Sequence, residues 1–295
     1  MSKKTRTIEL YRLTISGLPE SVSYDHLLQK IAGAIPKSRK YLKINSKHYS
    51  IEKCSVSEKV TKVLFTSYKE GSRPDVLDTK TNAILKNPMP DNFESVEYTH
   101  VLGFLKNDKY LLILELNPQG IWANTIARFI EICCKHYSSK IFGEGLYPKE
   151  EIIVNLEPVP GRSFQEKVEG LQRITKATLR IVKPNPCWDD LESELGGMSK
   201  ESNARMVEVT STAPRGKSLS KMSGIVRYIF DLFQKKHLDG AIIEGKTAEK
   251  TTERFTTKNE NIKEKVTVSQ NANGQINSDE MYNEMEILTS TDELD

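Results

Sequence analysis

Cysteine is scarce in this sequence, and its few cysteines are not arranged to bind a metal. Four of the 295 residues are cysteines, and no two of them form a Cys-x-x-Cys pair. Cys133 and Cys134 are adjacent, and on a helix their side chains point about 100° apart, so we predict buried, reduced thiols. The five histidines are scattered, and none lies at metal-ligand spacing from a cysteine. We therefore predict no metal site and no bound cofactor.

Long hydrophobic runs are also absent. A helix needs about 20 consecutive apolar residues to cross a bilayer, whereas the best candidate, residues 110–116, has only the length of a strand. The N-terminus, MSKKTRTIEL, has the positive charge of a signal peptide but no apolar segment after it. We therefore expect a cytoplasmic protein.

The common catalytic signatures are missing as well. The sequence contains no G-x-S-x-G, no H-E-x-x-H and no cysteine with an obvious histidine partner by spacing. We assign no residue a catalytic role, and a non-enzymatic function is favoured.

Charge is present in quantity but is unevenly distributed. The chain has 43 Lys and Arg against 40 Asp and Glu, a net charge of +3. Residues 279–295 contain seven acidic residues and no Lys or Arg, so the rest of the chain has 43 basic against 33 acidic side chains, a net charge of +10. A basic body with an acidic tail is typical of a protein that binds polyanions and screens its own basic surface. An equally good interpretation is a disordered tail that only increases solubility.

The hydrophobic pattern predicts an α+β fold with mostly antiparallel sheets, flanking helices and two subdomains. We expect a small α+β domain with a basic segment at residues 1–92, a larger α+β domain at 93–274 and an acidic, disordered tail at 275–295. A hairpin is predicted at residues 97–116, around Asn107 and Asp108. The predicted helices cover residues 23–34, 121–137 and 218–237, with a short one after Ser163, and the other predicted strands cover residues 7–16, 49–56, 61–68, 150–156, 177–182 and 205–210, with two or three more between 241 and 268.

One segment matches a phosphate-binding loop by its letters. GAIIEGKT, residues 240–247, satisfies G-x-x-x-x-G-K-T, but such a loop needs a strand before it and a helix after it. The pattern predicts the reverse order, so a helix, a glycine turn and a strand are favoured over a nucleotide site. Glu244 and Lys246, following Asp239, also leave open a metal-dependent nuclease, which needs a carboxylate pair for magnesium and a lysine beside it.

The strongest candidate for nucleic-acid binding is PKSRKYLKINSKHY, residues 36–49. Lysine and arginine neutralise phosphates and release counterions, and tyrosine can stack on bases or bond to a phosphate. A solvated basic loop explains the same composition equally well. The predicted nucleic-acid-binding residues are Lys37, Arg39, Lys40, Tyr41, Lys43 and Lys47.

Part of the chain resembles known proteins. VNLEPVPG, ITKATLRIVKPNPCWDDLESEL, NARMVEVTSTAPRG and HLDGAIIEGKT follow one another between residues 152 and 274. This succession resembles an uncharacterised bacterial and prophage domain family whose members occur among mobile elements and phage-defence genes. The order of a basic N-terminal region, a hairpin with Gly103 and Phe104, a strand ending at Glu157 and Pro158, and a β-rich half is similar to the RexA family of phage lambda exclusion proteins. That resemblance implies DNA binding with little sequence preference and work with a membrane protein, and it supplies no catalytic residue.

The charge pattern therefore predicts a non-enzymatic protein that binds the phosphate backbone of double-stranded DNA, and we expect it to be a homodimer. The resemblance implies that it acts in the conflict between phage and host. A membrane protein or another member of a defence complex is a further expected partner. One alternative is an inhibitor or adaptor, in which the acidic tail imitates DNA or the apolar helix docks a partner. The other alternative is the nuclease.

Overall fold

The computed structural model describes residues 2–19, 22–36, 41–72, 75–90, 93–143, 152–182, 206–234 and 238–290. Lys37, Arg39 and Lys40 of the predicted basic segment lie outside these ranges, and so does the motif PNPCWDDLESEL at residues 184–195.

The described residues form strands and helices in an α+β arrangement, and every pair of strands is antiparallel, which confirms the predicted fold class. The strands are β1 (Lys3–Ser16), β2 (Leu42–Ile44), β3 (Lys47–Val56), β4 (Val60–Tyr68), β5 (Val76–Asp78), β6 (Ala83–Leu85), β7 (Glu97–Lys106), β8 (Lys109–Leu116), β9 (Ile153–Pro158), β10 (Arg173–Val182), β11 (Met206–Thr212), β12 (Gly240–Lys246), β13 (Thr252–Thr256) and β14 (Lys263–Ser269). The helices are α1 (Tyr24–Ala34), α2 (Ala123–His136), α3 (Ser138–Phe142), α4 (Arg162–Glu169), α5 (Gly224–Gln234) and α6 (Ser278–Thr289).

The large sheet has eight strands, in the order β14-β1-β8-β7-β4-β3-β2, with β9 also paired to β1. The 14-residue strand β1 pairs with three strands of this sheet. β8 pairs with one edge of β1, and β14 and β9 pair with its other edge. The first half of β1 pairs with β14 and the second half with β9. Strands from both ends of the sequence therefore meet on β1.

Helices cover both faces of the large sheet. On one face lie α1, α2 and α3, whose apolar side chains form one core with the strands; the rings of Phe65 and Phe129 meet there edge to face, 5.7 Å apart. On the other face α6 buries Met281, Met285 and Leu288 in a second core that includes Ile8 from β1. Burial of this kind contributes about 25 cal/mol for each Å² of apolar surface removed from water.

The small sheet has four strands, in the order β11-β10-β12-β13, and a core of its own. α4 and α5 pack against one of its faces. The apolar spacing of α5 places Val226, Ile229 and Phe230 on that face, where they meet Leu179 and Ile243 of the sheet. The apolar side of α5 is therefore buried, and it is not a surface for docking a partner as the adaptor hypothesis supposed.

The small sheet is an insertion between β9 and β14. Val159 donates a backbone hydrogen bond to Leu10 at 2.9 Å, and Leu10 donates one to Ile262 at 3.1 Å. Ile262 in turn donates to Val159 at 2.9 Å, so the two chain crossings lie side by side against one residue of β1. One further bond, from the Gly161 amide to the Glu260 carbonyl at 2.8 Å, extends this two-stranded neck.

The pairing of the strands groups the chain differently from the predicted domains. A boundary near residue 92 would divide the large sheet between β4 and β7, which are hydrogen-bonded neighbours. The two bodies are instead the large sheet with its helices and the insertion at about residues 160–261. The acidic tail is not disordered over residues 278–289, because α6 has an apolar side that is packed on the large sheet.

The predicted hairpin is confirmed, and the clearest predicted helix is shorter than expected. Asn107 and Asp108 join β7 to β8 and have φ of 49° and 58°, as a tight two-residue turn requires. The helix predicted at 218–237 begins only at Gly224, because Leu219 donates a backbone hydrogen bond to Ile174 of β10 at 2.9 Å. No helix among the described residues is long and apolar enough to cross a bilayer.

Candidate functional site

The second half of the predicted basic segment forms a hairpin at the edge of the large sheet. β2 is the last strand of the sheet and pairs only with β3 among the described strands. Asn45, with φ of 56°, lies in the tight turn between them. Lys43 on β2 lies directly opposite His48 on β3. The hairpin therefore lies at the edge of the sheet, with Ile44 and Tyr49 buried in the core and Lys43 exposed.

The two lysines of this hairpin have different surroundings. The ammonium of Lys47 donates to the carbonyl oxygen of Gln119 at 2.8 Å, which ties the hairpin to the turn before α2. The Lys43 side chain is 59% exposed, and its ammonium lies 3.6 Å from Glu70. An exposed ion pair of this kind stabilises a protein by at most about 1 kcal/mol. Lys43 can therefore exchange Glu70 for another anion at little cost, whereas Lys47 has a structural bond.

Aromatic rings lie beside these lysines. The ring of His48 stacks on Tyr68 with 4.6 Å between centroids, and Tyr41 meets Tyr68 edge-on at 5.0 Å. Partial burial, followed by the nearby charge of Glu70, raises the pKa of Tyr68 above its ordinary value. The phenol therefore keeps its proton at neutral pH and remains able to donate to a phosphate oxygen. The sequence did not indicate Tyr68 and Glu70 as part of this site, because only the pairing of β4 with β3 brings the end of β4 beside the basic segment.

The phosphate-binding loop is excluded by the structure. The segment that matches G-x-x-x-x-G-K-T is the strand β12, which pairs with β10 on one side and β13 on the other. A side chain at Gly245 would come within 2.5 Å of the Arg173 carbonyl oxygen, so this glycine allows close packing within the sheet. The backbone amides of this segment therefore serve the ladder and are not gathered around a phosphate.

The carboxylates of the nuclease hypothesis do not come together. Asp239 precedes β12 and Glu244 is five residues further on, a separation of about 16 Å along a strand. Glu244 lies 3.5 Å from Arg254, and Asp239 accepts a hydrogen bond from Arg12. Among the described residues, no group of three or more His, Cys, Asp or Glu side chains could hold a metal ion.

A buried cluster of charges joins the large sheet to the insertion. Arg12 on β1 lies directly opposite Glu157 on β9, and its guanidinium donates to Asp239 at the start of the insertion's strand β12. Arg12 and Asp239 are 6% and 4% exposed. Buried charges are tolerated when they are paired, and removing one partner leaves the other uncompensated. This pair is therefore a specific connection between the two bodies.

The carboxyl group of Glu157 has a raised pKa in this cluster. Burial, and then the neighbouring carboxylate of Asp239, raise its pKa from 4.5 to about 7, while Arg12 acts in the opposite direction. One guanidinium thus lies beside two acids, and Asp239 is the one that accepts its hydrogen bond. The protonated form of Glu157 is therefore favoured to a higher pH than in an exposed glutamate.

A second buried network fastens α6 to the large sheet. The ring of His100 makes hydrogen bonds to Glu115 at 2.7 Å and to the hydroxyl of Ser278 at 2.8 Å. This order of groups occurs in hydrolase triads, where backbone N–H groups also stabilise an oxyanion. The amides of Asp279 and Glu280, which follow Ser278, donate to the side chain of Asn277. These two amides are therefore used by the helix cap at Asn277 and are not available to an oxyanion. We interpret the network as a structural anchor of α6.

One feature of the sequence could have indicated the cluster around Arg12. In LYRLTIS, a strand whose alternate residues are apolar, Arg12 occupies the same face as the buried Ile8 and Leu10. An arginine on a buried face needs a carboxylate partner. The partners themselves, at positions 157 and 239, could not be identified without the pairing of distant strands.

Comparison with known proteins adds no relative. No protein-family model matches the chain, and no curated protein matches it.

Proposed function

We propose that this chain is a non-enzymatic, cytoplasmic protein that binds the phosphate backbone of double-stranded DNA with little sequence preference. Its setting is the conflict between phage and host, which is what the resemblance to RexA-like exclusion proteins implies. It acts as a homodimer, with a membrane protein or a defence-complex protein as a further partner. The observation that supports DNA binding best is the exposed Lys43 on the edge hairpin, next to the rings of His48, Tyr68 and Tyr41.

The contacts divide the predicted DNA-binding residues into two groups. Lys47 is bonded to Gln119, and Tyr41 packs on Tyr68, so these two position the hairpin. Lys43 is the described lysine of the segment that projects into solvent. In this proposal Lys37, Arg39 and Lys40 extend the same contact along the phosphates, since they precede Lys43 in the chain. Contacts to phosphate position a protein on DNA without reading its sequence.

Glu70 supplies a sharp test, because it competes with phosphate for the same side chain. It lies 3.6 Å from Lys43 and 3.5 Å from His48. Removing its charge leaves the Lys43 ammonium available to a phosphate and removes one repulsive charge from the surface. Glu70→Gln is therefore expected to strengthen DNA binding, whereas a loss of structure in the hairpin would weaken it.

The experiment measures fluorescence anisotropy with a labelled duplex of mixed sequence. We expect Lys43→Glu to weaken binding about threefold to tenfold and Glu70→Gln to tighten it about twofold. Lys40→Glu combined with Lys43→Glu should weaken binding further. Lys80→Glu is the matched control, because it reverses the charge of an exposed lysine in the turn between β5 and β6. It should change the affinity for DNA less than the Lys43 variant or the double variant does. Wild-type affinity in the Lys40 and Lys43 variants would overturn the proposal.

The adaptor function is a second candidate, favoured by an exposed apolar hairpin. β5 and β6 form a separate two-stranded sheet on which Leu77 is 57% and Ile84 75% exposed. Clustered apolar side chains at a surface are typical of a protein-binding site. Leu77→Asp with Ile84→Asp distinguishes the two functions: loss of phage exclusion with unchanged DNA affinity favours the adaptor.

A further inference from the structure

The two faces of the small sheet differ in chemistry. α4 and α5 cover one face, where alternate side chains of β10 such as Leu179 and Ile181 are buried. The opposite face, which we call the outer face, has mostly polar side chains. It is formed by alternate residues of β10 and by the residues paired with them on β11 and β12; those of β10 are Arg173, Lys176, Thr178 and Arg180.

A β-bulge gathers three cations at one end of the outer face. The register of β10 against β12 shifts between Ile174 and Lys176. Arg173 lies directly opposite Lys246, and Lys176 lies opposite the residue two positions before Lys246. In a regular strand, residues three positions apart point to opposite faces, so the extra residue places Arg173 and Lys176 on the same face as Lys246. Bulges re-aim side chains in this way and are over-represented next to active sites.

These three cations lack an anionic partner within the described part of the chain. Arg173, Lys176 and Lys246 form no side-chain hydrogen bond or ion pair with the described residues. The Nε atom of Arg173 is buried without an acceptor. Glu244 is the neighbouring acid, and its carboxylate lies 3.5 Å from Arg254 of β13. Four cations therefore face one carboxylate at this end of the outer face.

This arrangement costs stability unless an anion is bound. Arg173 and Lys246 are directly opposite each other, which places their Cβ atoms about 5 Å apart, and like charges at such positions destabilise a sheet. Both side chains and that of Lys176 are partly buried, so less water screens the repulsion. A bound anion cancels this repulsion and accepts the hydrogen bonds that the three side chains do not make within the described chain.

The surroundings of the three cations fit a phosphate backbone better than a lipid surface. Thr212 is paired with Lys176 and Thr252 with Lys246, and both threonines are exposed. Threonine hydroxyls bond to phosphate oxygens in protein–DNA complexes. A surface that enters a membrane interface carries large apolar side chains. Among the described residues of the four strands, the exposed large apolar side chain is Met206, at the other end of β11.

We propose that Arg173, Lys176 and Lys246 form a second contact with the phosphate backbone of double-stranded DNA, on the outer face of the small sheet. The proposal rests on the proposed function for its ligand but not for its residues, since the edge hairpin belongs to the large sheet. Three cations neutralise fewer phosphates than the four that the proposed function assigns to the basic segment, so this contact is the weaker one. It allows one chain to hold a second segment of DNA.

The test removes the tighter contact first. The full chain with Lys40→Glu and Lys43→Glu is titrated against a labelled duplex of mixed sequence at several salt concentrations, with binding measured by fluorescence anisotropy. The two introduced acids offset the remaining Lys37 and Arg39. We expect a residual affinity whose logarithm falls with the logarithm of salt concentration with a slope of about −3, as three neutralised phosphates require.

Substitutions on the outer face locate this residual binding. Adding Lys176→Gln and Lys246→Gln should weaken it about threefold to tenfold and bring the slope closer to zero by about 2. Lys135→Gln with Lys265→Gln is the matched control, because it removes two exposed lysines from α2 and β14, and it should leave the residual affinity unchanged. Circular dichroism checks that each variant is folded.

Vesicles of phosphatidylserine serve as a second probe, because a lipid surface also carries phosphate. The proposal is overturned if the Lys40 and Lys43 variant binds no DNA, or if Lys176→Gln with Lys246→Gln leaves the residual affinity for the duplex unchanged. It is also overturned if these two substitutions weaken binding to the vesicles and not to the duplex.

The same measurements separate this contact from the basic segment. If Lys40→Glu with Lys43→Glu keeps wild-type affinity while Lys176→Gln with Lys246→Gln lowers it, the proposed role of the basic segment fails and the contact on the outer face stands. If only the substitutions in the basic segment lower the affinity, the contact on the outer face fails and the proposed function stands.

Discussion

At the scale of single residues, Arg12, Asp239 and Glu157 show how one cation is shared between two acids. Asp239 receives the direct hydrogen bond, and Glu157, although directly opposite Arg12 on the neighbouring strand, has its pKa raised to about 7. Its ordinary pKa is 4.5, so the folded protein binds this proton more tightly than the unfolded chain does. The favourable contribution is complete below about pH 4.5 and is lost as the pH rises towards 7.

The first prediction concerns Glu157→Gln. The glutamine stays neutral at every pH, so the variant should not lose stability between pH 5 and pH 8 as the wild type does. At pH 8 we expect it to be more stable than the wild type by about 2 kcal/mol, and at pH 5 nearly equal to it. Urea unfolding at both pH values measures this difference. Glu166→Gln, on the exposed side of α4, is the control; equal pH profiles for wild type and Glu157→Gln would refute the assignment.

At the scale of elements, local sequence patterns were sufficient to predict a helix or a hairpin where residues that are close in the sequence interact with each other. The turn at Asn107 and Asp108 needs left-handed backbone, which these residue types tolerate, so the hairpin could be predicted. The spacing of Leu27, Leu28, Ile31 and Ala34 likewise indicated α1. Residues 218–223 continue the apolar pattern of α5, but Ser218 and Leu219 form hydrogen bonds with Ile174 of β10. Periodicity alone does not reveal such a tertiary contact.

The tail was misjudged for a related reason. Its seven acids suggested disorder, but Met281, Met285 and Leu288 recur at helical spacing and are buried on the large sheet. Asn277 caps the helix by accepting from the amides of Asp279 and Glu280. Acidic residues in the first turn also favour a helix. The apolar spacing therefore predicted a helix, but the number of acidic residues led to a prediction of disorder.

The second prediction tests the packing of α6. Leu288→Ala should lower the free energy of unfolding by about 2–5 kcal/mol, because it removes a fully buried side chain. The adjacent Ile287 is 61% exposed, and Ile287→Ala should change stability by no more than about 0.5 kcal/mol. Chemical denaturation of the two variants measures this contrast. Similar stabilities for both would mean that α6 is not docked.

At the scale of the whole molecule, neither of the two bodies can be recognised from the order of the elements along the chain, because the large sheet is built from segments on both sides of the insertion. β1 pairs with β14 at the far end of the sequence, and a body with its own core is inserted between β9 and β14. A boundary drawn from composition near residue 92 could not anticipate this, because strand pairing over such distances leaves no local pattern. Composition singled out the basic segment at residues 36–49 but did not predict that part of it forms a hairpin at the edge of the sheet, and the junction around Arg12 required both bodies.

The third prediction follows from the neck. Residues 162–259 can be replaced by an Asn-Gly turn, because Gly161 and Glu260 are already hydrogen-bonded as the ends of a hairpin are. The shortened chain should fold and unfold cooperatively, with the large sheet and α6 intact. Circular dichroism and urea unfolding would show this. An aggregated product without a sigmoidal transition would contradict an independent large sheet.

The central claim is that the basic segment binds DNA phosphates without reading sequence, and salt dependence tests it most directly. The logarithm of the association constant should fall linearly with the logarithm of salt concentration, by about 0.9 for each phosphate contacted. With Lys37, Arg39, Lys40 and Lys43 in contact, the slope should be about −4, equal for duplexes of unrelated sequence, and closer to zero by about 1 in Lys43→Gln. An affinity unchanged between low and high salt, or a slope that Lys43→Gln leaves unaltered, would contradict the account.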